Sequence, residues 1–112
     1  MPAGPGIQLK PGYKMIVKVH RTTEGRKIVA VCDSDLVGKK FEEGKMQLDL
    51  SSGFYKGEEI SKDKVSKLIK EPGVFNVVGE KCVGLFLKLG LVDKGNVIRV
   101  DNVPHTQVVI GG

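Results

Sequence analysis

Residues 74–90, VFNVVGEKCVGLFLKLG, decide the predicted fold of this chain because they carry its strongest helical pattern. At 100° per residue, Cys82 and the valine, leucine and phenylalanine side chains fill one apolar arc of about 120°. An arc of that width is typical of a helix that packs one side against a protein core. We therefore predict one long core helix here, ended by Gly90.

Residues 62–71, which precede this stretch, predict a second and shorter helix. Ser61 is placed to cap its amino terminus, and Pro72 and Gly73 end it. One side of the predicted helix is apolar and the opposite side is basic. The apolar residues are Val65, Leu68 and Ile69, and the basic residues are Lys64, Lys67 and Lys70.

Strands are predicted on both sides of the two helices. Residues 14–21 alternate apolar and polar side chains, as a half-buried strand does, whereas residues 27–32 are apolar on both faces. The short Gly-containing connection between them predicts a β-hairpin whose second strand is the more central one. Further strands are predicted at 46–51, at 97–100 and from Pro104 to 110, with loops at 33–45 and 52–60.

This order of elements, three strands, two helices and two strands, predicts an α+β fold rather than alternating β-α-β units. We expect a mostly antiparallel sheet of four or five strands, packed by one long core helix and one shorter lysine-rich helix. Residues 1–13 are rich in proline and glycine and are expected to form a flexible leader. Residues 14–112 are then expected to form a single domain.

The chain is basic, with 18 Lys and Arg against 13 Asp and Glu and a net charge of +5. Only three of the 18 are Arg, the residue that most often reads base edges, whereas lysine supplies diffuse positive charge. The composition therefore fits phosphate contact better than sequence-specific reading, and it equally fits the Lys- and Glu-rich surface of a heat-tolerant protein. No apolar run is long enough to span a bilayer and no secretory pattern opens the chain, so we expect a cytoplasmic protein without a membrane partner.

Several polar residues stand beside the predicted core and are candidates for a binding site. Asn76 and Glu80 are four residues apart next to Gly79, where they form either a solvated flank of the core or a small polar pocket. His105 and Gln107 share one face of the last predicted strand. His105 is then either a hydrogen-bonding structural residue or, with Glu80, an acid–base pair.

Four lysines, Lys39, Lys64, Lys67 and Lys70, are the candidates for phosphate contact, and Lys40 and Lys56 can extend the same basic surface; an ordinary solvated helix face is the alternative. Cys32 and Cys82 are 50 positions apart without a C-x-x-C or clustered histidines, so buried free thiols are expected rather than zinc ligands. The sequence contains no Walker A, GxGxxG, G-x-S-x-G or H-E-x-x-H motif. We therefore expect neither a metal nor a cofactor.

Five strings follow one another along the chain: VKVHR at 17–21, AVCDSDLVGKKFEEG at 30–44, SGFYKGE at 52–58, NVVGEKCV at 76–83 and GNVIRVDNVPHTQVV at 95–109. In this combination and order they resemble an archaeal family of small cytosolic proteins catalogued as a domain of unknown function, number four hundred and twenty-four. The resemblance covers roughly residues 14–110. Its recurring positions map onto Cys32, Asp33, Gly38, Lys39, Phe54, Tyr55, Gly57, Asn76, Gly79, Glu80, Pro104, His105 and Gln107.

The resemblance implies an archaeal, stand-alone α+β domain without an established activity, associated with the translation genes of archaea. Three hypotheses about function follow. The first is a small RNA- or ribonucleoprotein-associated binding module that uses the lysines for phosphate and the Asn76, Glu80, His105, Gln107 group for one specific polar contact. The second is a small enzyme with a His105/Glu80 acid–base site, and the third is a structural partner of a larger complex. The sequence leaves the oligomeric state open.

Overall fold

The computed structural model describes residues 14–111, so the predicted leader at 1–13 lies outside the described residues. The first half of the described chain forms β1 (Lys14–Arg21), β2 (Lys27–Asp33), β3 (Lys40–Glu43), β4 (Met46–Asp49) and β5 (Glu58–Ser61). The second half forms α1 (Lys62–Leu68), β6 (Gly73–Val78), α2 (Glu80–Lys88), β7 (Ile98–Val100) and β8 (Val103–Ile110). Short 3-10 turns occupy Gly53–Tyr55 and Lys94–Asn96.

Six of these strands form one sheet in the order β5-β1-β2-β6-β8-β7, and β3 and β4 form a separate hairpin. All neighbours in the large sheet are antiparallel except β2 and β6, which are parallel. The predicted fold class is therefore wrong in its architecture, because the sheet is a six-stranded mixed one and both helices are short. Neither helix, in the part of the chain that the structure describes, is long and apolar enough to cross a membrane.

The long core helix predicted at 74–90 is a strand followed by a short helix. Phe75 and Val77 of β6 are buried on one face of the sheet, and Val78 is buried on the other. Gly79 then leaves the strand with φ +107° and ψ 154°, and α2 begins at the next residue. A strand that is buried on both faces is apolar at nearly every position. When such a run is plotted at 100° per residue, its apolar residues also fall on the apolar side of a helix, so the pattern does not distinguish the two elements. The spacing alone therefore favoured the wrong element.

Two strands were also predicted as loops. β3 has three charged residues among its four and pairs only with β4, and β5 is an edge strand that pairs only with Lys14–Val17. Charged residues are common on exposed edge strands, and they hide the apolar alternation by which a strand is recognised. The β1–β2 hairpin, with β2 in the interior of the sheet, and the helix that follows Ser61 are confirmed.

The two faces of the large sheet are covered by different parts of the chain. The helices cover one face, where Phe75 packs against Phe86 of α2 with ring centroids 5.9 Å apart. The β3–β4 hairpin covers part of the other face, where Leu48 and Leu50 pack on Cys32, Val78 and Val100. The hairpin leaves the rest of its face open, since Val109 of β8 is 72% exposed and Ile98 of β7 is 51% exposed. We call this second face the cleft face.

Asp33, at the end of β2, fixes the junction between β6 and α2. Its carboxylate accepts hydrogen bonds from the backbone amides of Lys81 at 3.1 Å and Cys82 at 2.9 Å, in the first turn of α2. These are amides that no residue within the helix can bond, and the negative charge suits the positive end of the helix. A Cβ at Gly79 would lie 2.3 Å from Cγ of Asp33, so only glycine leaves room for this cap.

Candidate functional site

The open part of the cleft face contains a cleft of about 470 Å³. Asn76 of β6 and Gln107 of β8 are direct partners in the antiparallel register, so their side chains stand next to each other on this face. His105 lies two residues before Gln107 on β8, opposite Val78. Tyr55, Asn96 and Ile98 complete the wall of the cleft. The structure thus brings together three of the residues predicted for the site.

Three polar side chains of this cleft have no partner within the described residues, whereas the hydroxyl of Thr106 donates a 2.9 Å hydrogen bond to the carbonyl oxygen of Asn96. No hydrogen bond or ion pair joins the side chain of Asn76, His105 or Gln107 to another described residue. Asn76 and His105 are half-buried. Gln107 is exposed, so water can occupy its amide. Polar groups at half-buried positions normally have a hydrogen-bond partner, so Asn76 and His105 are free to bond to water or to a ligand.

The residues that line the cleft are uncharged. Burial lowers the pKa of His105 below its ordinary value of 6.5, so its ring is neutral at pH 7 and offers one donor and one acceptor. Burial raises the pKa of Tyr55 to about 12, with a smaller contribution from Cys32, so its hydroxyl stays protonated. The cleft therefore presents neutral hydrogen-bonding groups to whatever it binds.

Tyr55 and Asn96 were not predicted as site residues. The 3-10 turn that carries Tyr55 is held against the sheet by Phe54, whose ring stacks on His20 with centroids 4.4 Å apart. Nε2 of His20 also lies 3.0 Å from the carbonyl oxygen of Phe54. An aromatic pair within a glycine-bracketed loop was the available signal for Tyr55. No sequence signal indicated Asn96, because its place depends on how the chain approaches β7.

Glu80 and Gly79 lie outside the cleft. Asn76 is in a strand and not in a helix, so the predicted stacking of Asn76 on Glu80 does not form. The Glu80 carboxylate accepts hydrogen bonds from both terminal nitrogens of Arg99, at 2.7 and 3.3 Å, and lines a separate cleft of about 310 Å³ with Arg99 and Lys94. The structure therefore does not bring Glu80 to His105, and Gly79 serves the junction of β6 with α2.

The four lysines predicted to contact phosphate lie on two sides of the sheet. Lys64 and Lys67 are exposed on α1, which covers the helix side, and Lys70 is exposed just after that helix. Lys39 is exposed immediately before the β3–β4 hairpin, on the cleft side. None of the four lines the cleft.

Two other lysines, Lys18 and Lys56, line a separate cleft of about 540 Å³ together with Lys64. Lys18 belongs to the same row across the sheet as the cleft amides, since its partner Ala30 pairs with Asn76 and Asn76 pairs with Gln107. With strands about 4.8 Å apart, Lys18 lies roughly 10 Å from Asn76 along this row. Lys56 directly follows Tyr55. Both side chains are exposed. The alternation in β1, which puts Lys18 on its polar face, was the signal available for this lysine.

The two cysteines are buried free thiols, as predicted. Burial, and then the nearby carboxylates of Asp33 and Asp35, raise the pKa of Cys32 to about 12. Burial also raises the pKa of Cys82. Neither thiol is ionised at neutral pH, and neither lines the cleft. In the described range 14–111, no group of three His, Cys, Asp or Glu side chains is arranged to hold a metal ion.

Comparison with known proteins gives a family and a structural neighbour. The profile of a family described as "Protein of unknown function (DUF424)" matches residues 20–110. The fold is similar to the crystal structure of an uncharacterized conserved protein from Methanopyrus kandleri, with a TM-score of 0.72. That alignment covers 87% of this chain and 91% of the other at 24% identity, so it shows a shared fold alone. No curated protein matches the chain.

Proposed function

The chain belongs to the DUF424 family of proteins of unknown function, and we propose that it is a binding module that takes an unpaired base of single-stranded RNA into the cleft. In this proposal Asn76, His105 and Gln107 contact the edges of the base, and Tyr55 forms an aromatic wall beside it. Lys18 and Lys56 contact the phosphates of the bound strand.

The observation that carries the proposal is the pair of unpartnered carboxamides, Asn76 and Gln107, in an uncharged cleft. A carboxamide holds a hydrogen-bond donor beside an acceptor, which is the pattern that the edges of the bases present. Proteins that recognise RNA by sequence mostly bind unpaired bases, whose edges are accessible. A neutral cleft suits a neutral base better than it suits a phosphate or a charged metabolite, which would require a compensating charge.

The surroundings of the cleft support a nucleic-acid ligand as well. Aromatic side chains on or beside a sheet are the usual platforms on which unpaired bases stack, and Tyr55 is the aromatic residue of this cleft. The net charge of +5 attracts a polyanion over a distance. Lys18 and Lys56 line a second cleft of about 540 Å³, and in this proposal they contact the backbone of a strand whose base is inside the first cleft.

The acid–base alternative lacks this support. The His105/Glu80 acid–base site would need the Glu80 carboxylate within hydrogen-bond reach of the His105 ring. Glu80 is bound to Arg99 on the other side of the sheet, and no carboxylate lines the cleft within the described residues. The arrangement of the cleft favours binding over proton transfer.

The first test is the affinity for a labelled single-stranded RNA of mixed sequence, measured by fluorescence anisotropy at low salt. The double variant Asn76→Ala/Gln107→Ala is expected to bind at least about tenfold more weakly, because each well-placed amide contact to a base is worth about 1–3 kcal/mol. Gln47→Ala is the matched control, since Gln47 is an exposed amide on β4 that does not line the cleft. Absence of binding to the wild type, or equal binding by the double variant, would overturn the proposal.

The second test concerns the lysines. The slope of log affinity against log salt is expected to become about 1.4 less steep in Lys18→Ala/Lys56→Ala, since each phosphate contact to a single strand contributes about 0.7. The control is Lys67→Ala/Lys88→Ala, because these two exposed lysines belong to α1 and α2 and line neither the cleft that takes the base in this proposal nor the one that contains Lys18 and Lys56. A larger loss of slope in the control variant would contradict the assignment of Lys18 and Lys56.

A further inference from the structure

We infer that the cleft prefers purine bases to pyrimidine bases. The inference rests on the proposed function and concerns the chemical class of base that the same cleft takes. It is drawn from the spacing of the carboxamides of Asn76 and Gln107, which are register partners, and not from the third carboxamide of the cleft, that of Asn96.

The two carboxamides form a pair across neighbouring strands. Asn76 and Gln107 are register partners in β6 and β8, so their Cβ atoms are roughly 5 Å apart and both side chains leave the sheet on the cleft face. Neither amide is occupied by a described residue. Two carboxamides at this spacing can bond to two different edges of one base, provided that the base offers a donor–acceptor pair on each edge.

Only purines offer two such pairs in full. Adenine presents N6–H beside N7 on one edge and its second N6–H beside N1 on the other, and guanine presents O6 beside N1–H and N2–H beside N3. Cytosine has a single donor–acceptor pair, N4–H beside N3, because its second N4–H adjoins a carbon. In uracil the two pairs share the one N3–H, so both amides cannot be satisfied together. A pyrimidine in the cleft would therefore bond fully to only one carboxamide of the pair and would leave the other to water, whereas a purine bonds to both.

The rest of the cleft is compatible with the larger base. Its volume is about 470 Å³, and its open side faces solvent beside β7 and β8. Tyr55 supplies the aromatic wall. Every base can stack on an aromatic side chain, so stacking on Tyr55 does not distinguish purines from pyrimidines. The neutral ring of His105 adds one further donor or acceptor. The choice between purine and pyrimidine thus depends on the carboxamide pair.

The inference is tested by the affinities of oligo(rA), oligo(rC) and oligo(rU) of equal length at one salt concentration. Oligo(rA) is expected to bind about tenfold more tightly than the two pyrimidine strands. This preference is expected to disappear in Asn76→Ala/Gln107→Ala and to persist in Gln47→Ala. Equal binding of all three strands, or tighter binding of a pyrimidine strand, would overturn the purine preference while the proposed function stands. No binding of any strand would overturn both.

A competition experiment separates hydrogen bonding from stacking. Adenosine is expected to displace the labelled RNA, whereas purine riboside, which has the same rings but no 6-amino group, is expected to compete about tenfold more weakly. Equal competition by the two nucleosides would show that the carboxamides do not read the base edge and would contradict the inference.

Discussion

Gly79 is the residue on which the junction between the last buried strand and the second helix depends. Its φ is +107°, and an added Cβ would lie 2.3 Å from Cγ of Asp33. Gly79→Ala is expected to lower the free energy of unfolding by about 2 kcal/mol or more, because it combines backbone strain of about 1–3 kcal/mol with displacement of a helix cap worth about 1 kcal/mol. Urea denaturation measures the change.

Gly95→Ala is the matched control for this substitution. Gly95 has no atom within 4 Å of the added Cβ, and its φ lies outside the left-handed region. We expect the stability of this variant to change by less than about 0.5 kcal/mol. If the two variants unfolded at the same urea concentration, the account of the Gly79–Asp33 junction would be wrong.

His105 makes stability depend on pH in a defined direction. Burial lowers its pKa in the folded state below the ordinary value of 6.5, so the unfolded chain binds a proton more readily than the folded one. The stability of the fold is therefore expected to fall as the pH drops from about 6.5 through the lowered pKa of His105. Above about pH 6.5 the ring is neutral in both states, so His105 adds no further pH dependence.

The comparison of wild type with His105→Gln isolates this effect. Urea midpoints are measured at neutral pH and at about pH 5, and the wild type is expected to lose more stability between them than the variant does. An identical loss in both proteins would show that protonation of His105 is not opposed by the fold.

At the scale of elements, the buried Lys27 ties β2 to the end of the first helix. Lys27 is 5% exposed, and its Nζ donates a 2.9 Å hydrogen bond to Glu71 and contacts the carbonyl oxygen of Leu68 at 3.4 Å. Glu71→Gln is expected to lower the urea midpoint, because the buried ammonium group loses its charged partner. Glu24→Gln, an exposed glutamate in the β1–β2 turn, is the control and is expected to leave the midpoint unchanged.

The Lys27–Glu71 ion pair also makes stability depend on pH, but the cause is an interaction with the charged form of Glu71, whereas for His105 the cause is burial. The hydrogen bond and then the charge of Lys27 lower the pKa of Glu71. The contribution of the pair is therefore fully present above the ordinary pKa of 4.5 and is lost as the pH falls through the lowered value. Midpoints of wild type and Glu71→Gln that stay equally far apart at acid and neutral pH would contradict this account.

The sequence predicts those elements whose pattern is complete within a few residues. The β1–β2 hairpin and α1 are of this kind, since each has one buried side and a clear start or turn. β6 was predicted as a helix because both of its faces are buried, and its parallel pairing with β2 depends on contacts between distant residues. Edge strands such as β5 are predicted poorly because their charged residues serve the surface and not the core.

The cleft could be predicted only in part, for the same reason. Asn76, His105 and Gln107 were recognisable as polar residues within apolar patterns, and the register places Asn76 and Gln107 side by side. Glu80 was assigned to the same group because a helix would have stacked it on Asn76. Once that segment is a strand, Glu80 belongs to the other side of the sheet and pairs with Arg99. The spacing of two residues in the sequence predicts that they share a face only when the segment between them has been assigned correctly as helix or strand.

At the scale of the whole molecule, the unequal cover of the sheet creates the cleft. Two helices cover one face, whereas a short hairpin and the turn at Gly53–Tyr55 cover only part of the other. The uncovered part carries uncharged polar side chains in a chain of net charge +5. The net charge therefore contributes to the affinity for any RNA strand, whereas the cleft contributes to the preference between bases. Salt is expected to weaken the overall affinity far more than the preference between bases.

The most direct test of the central claim follows the side-chain amide signals of Asn76 and Gln107 in ¹H–¹⁵N NMR spectra during titration with oligo(rA). The account predicts that both pairs of NH₂ signals shift and saturate together with the affinity measured by anisotropy, while the NH₂ signals of Gln47 remain in place. Shifts confined to the helix side around Lys64 and Lys67, with the two cleft amides unchanged, would contradict it.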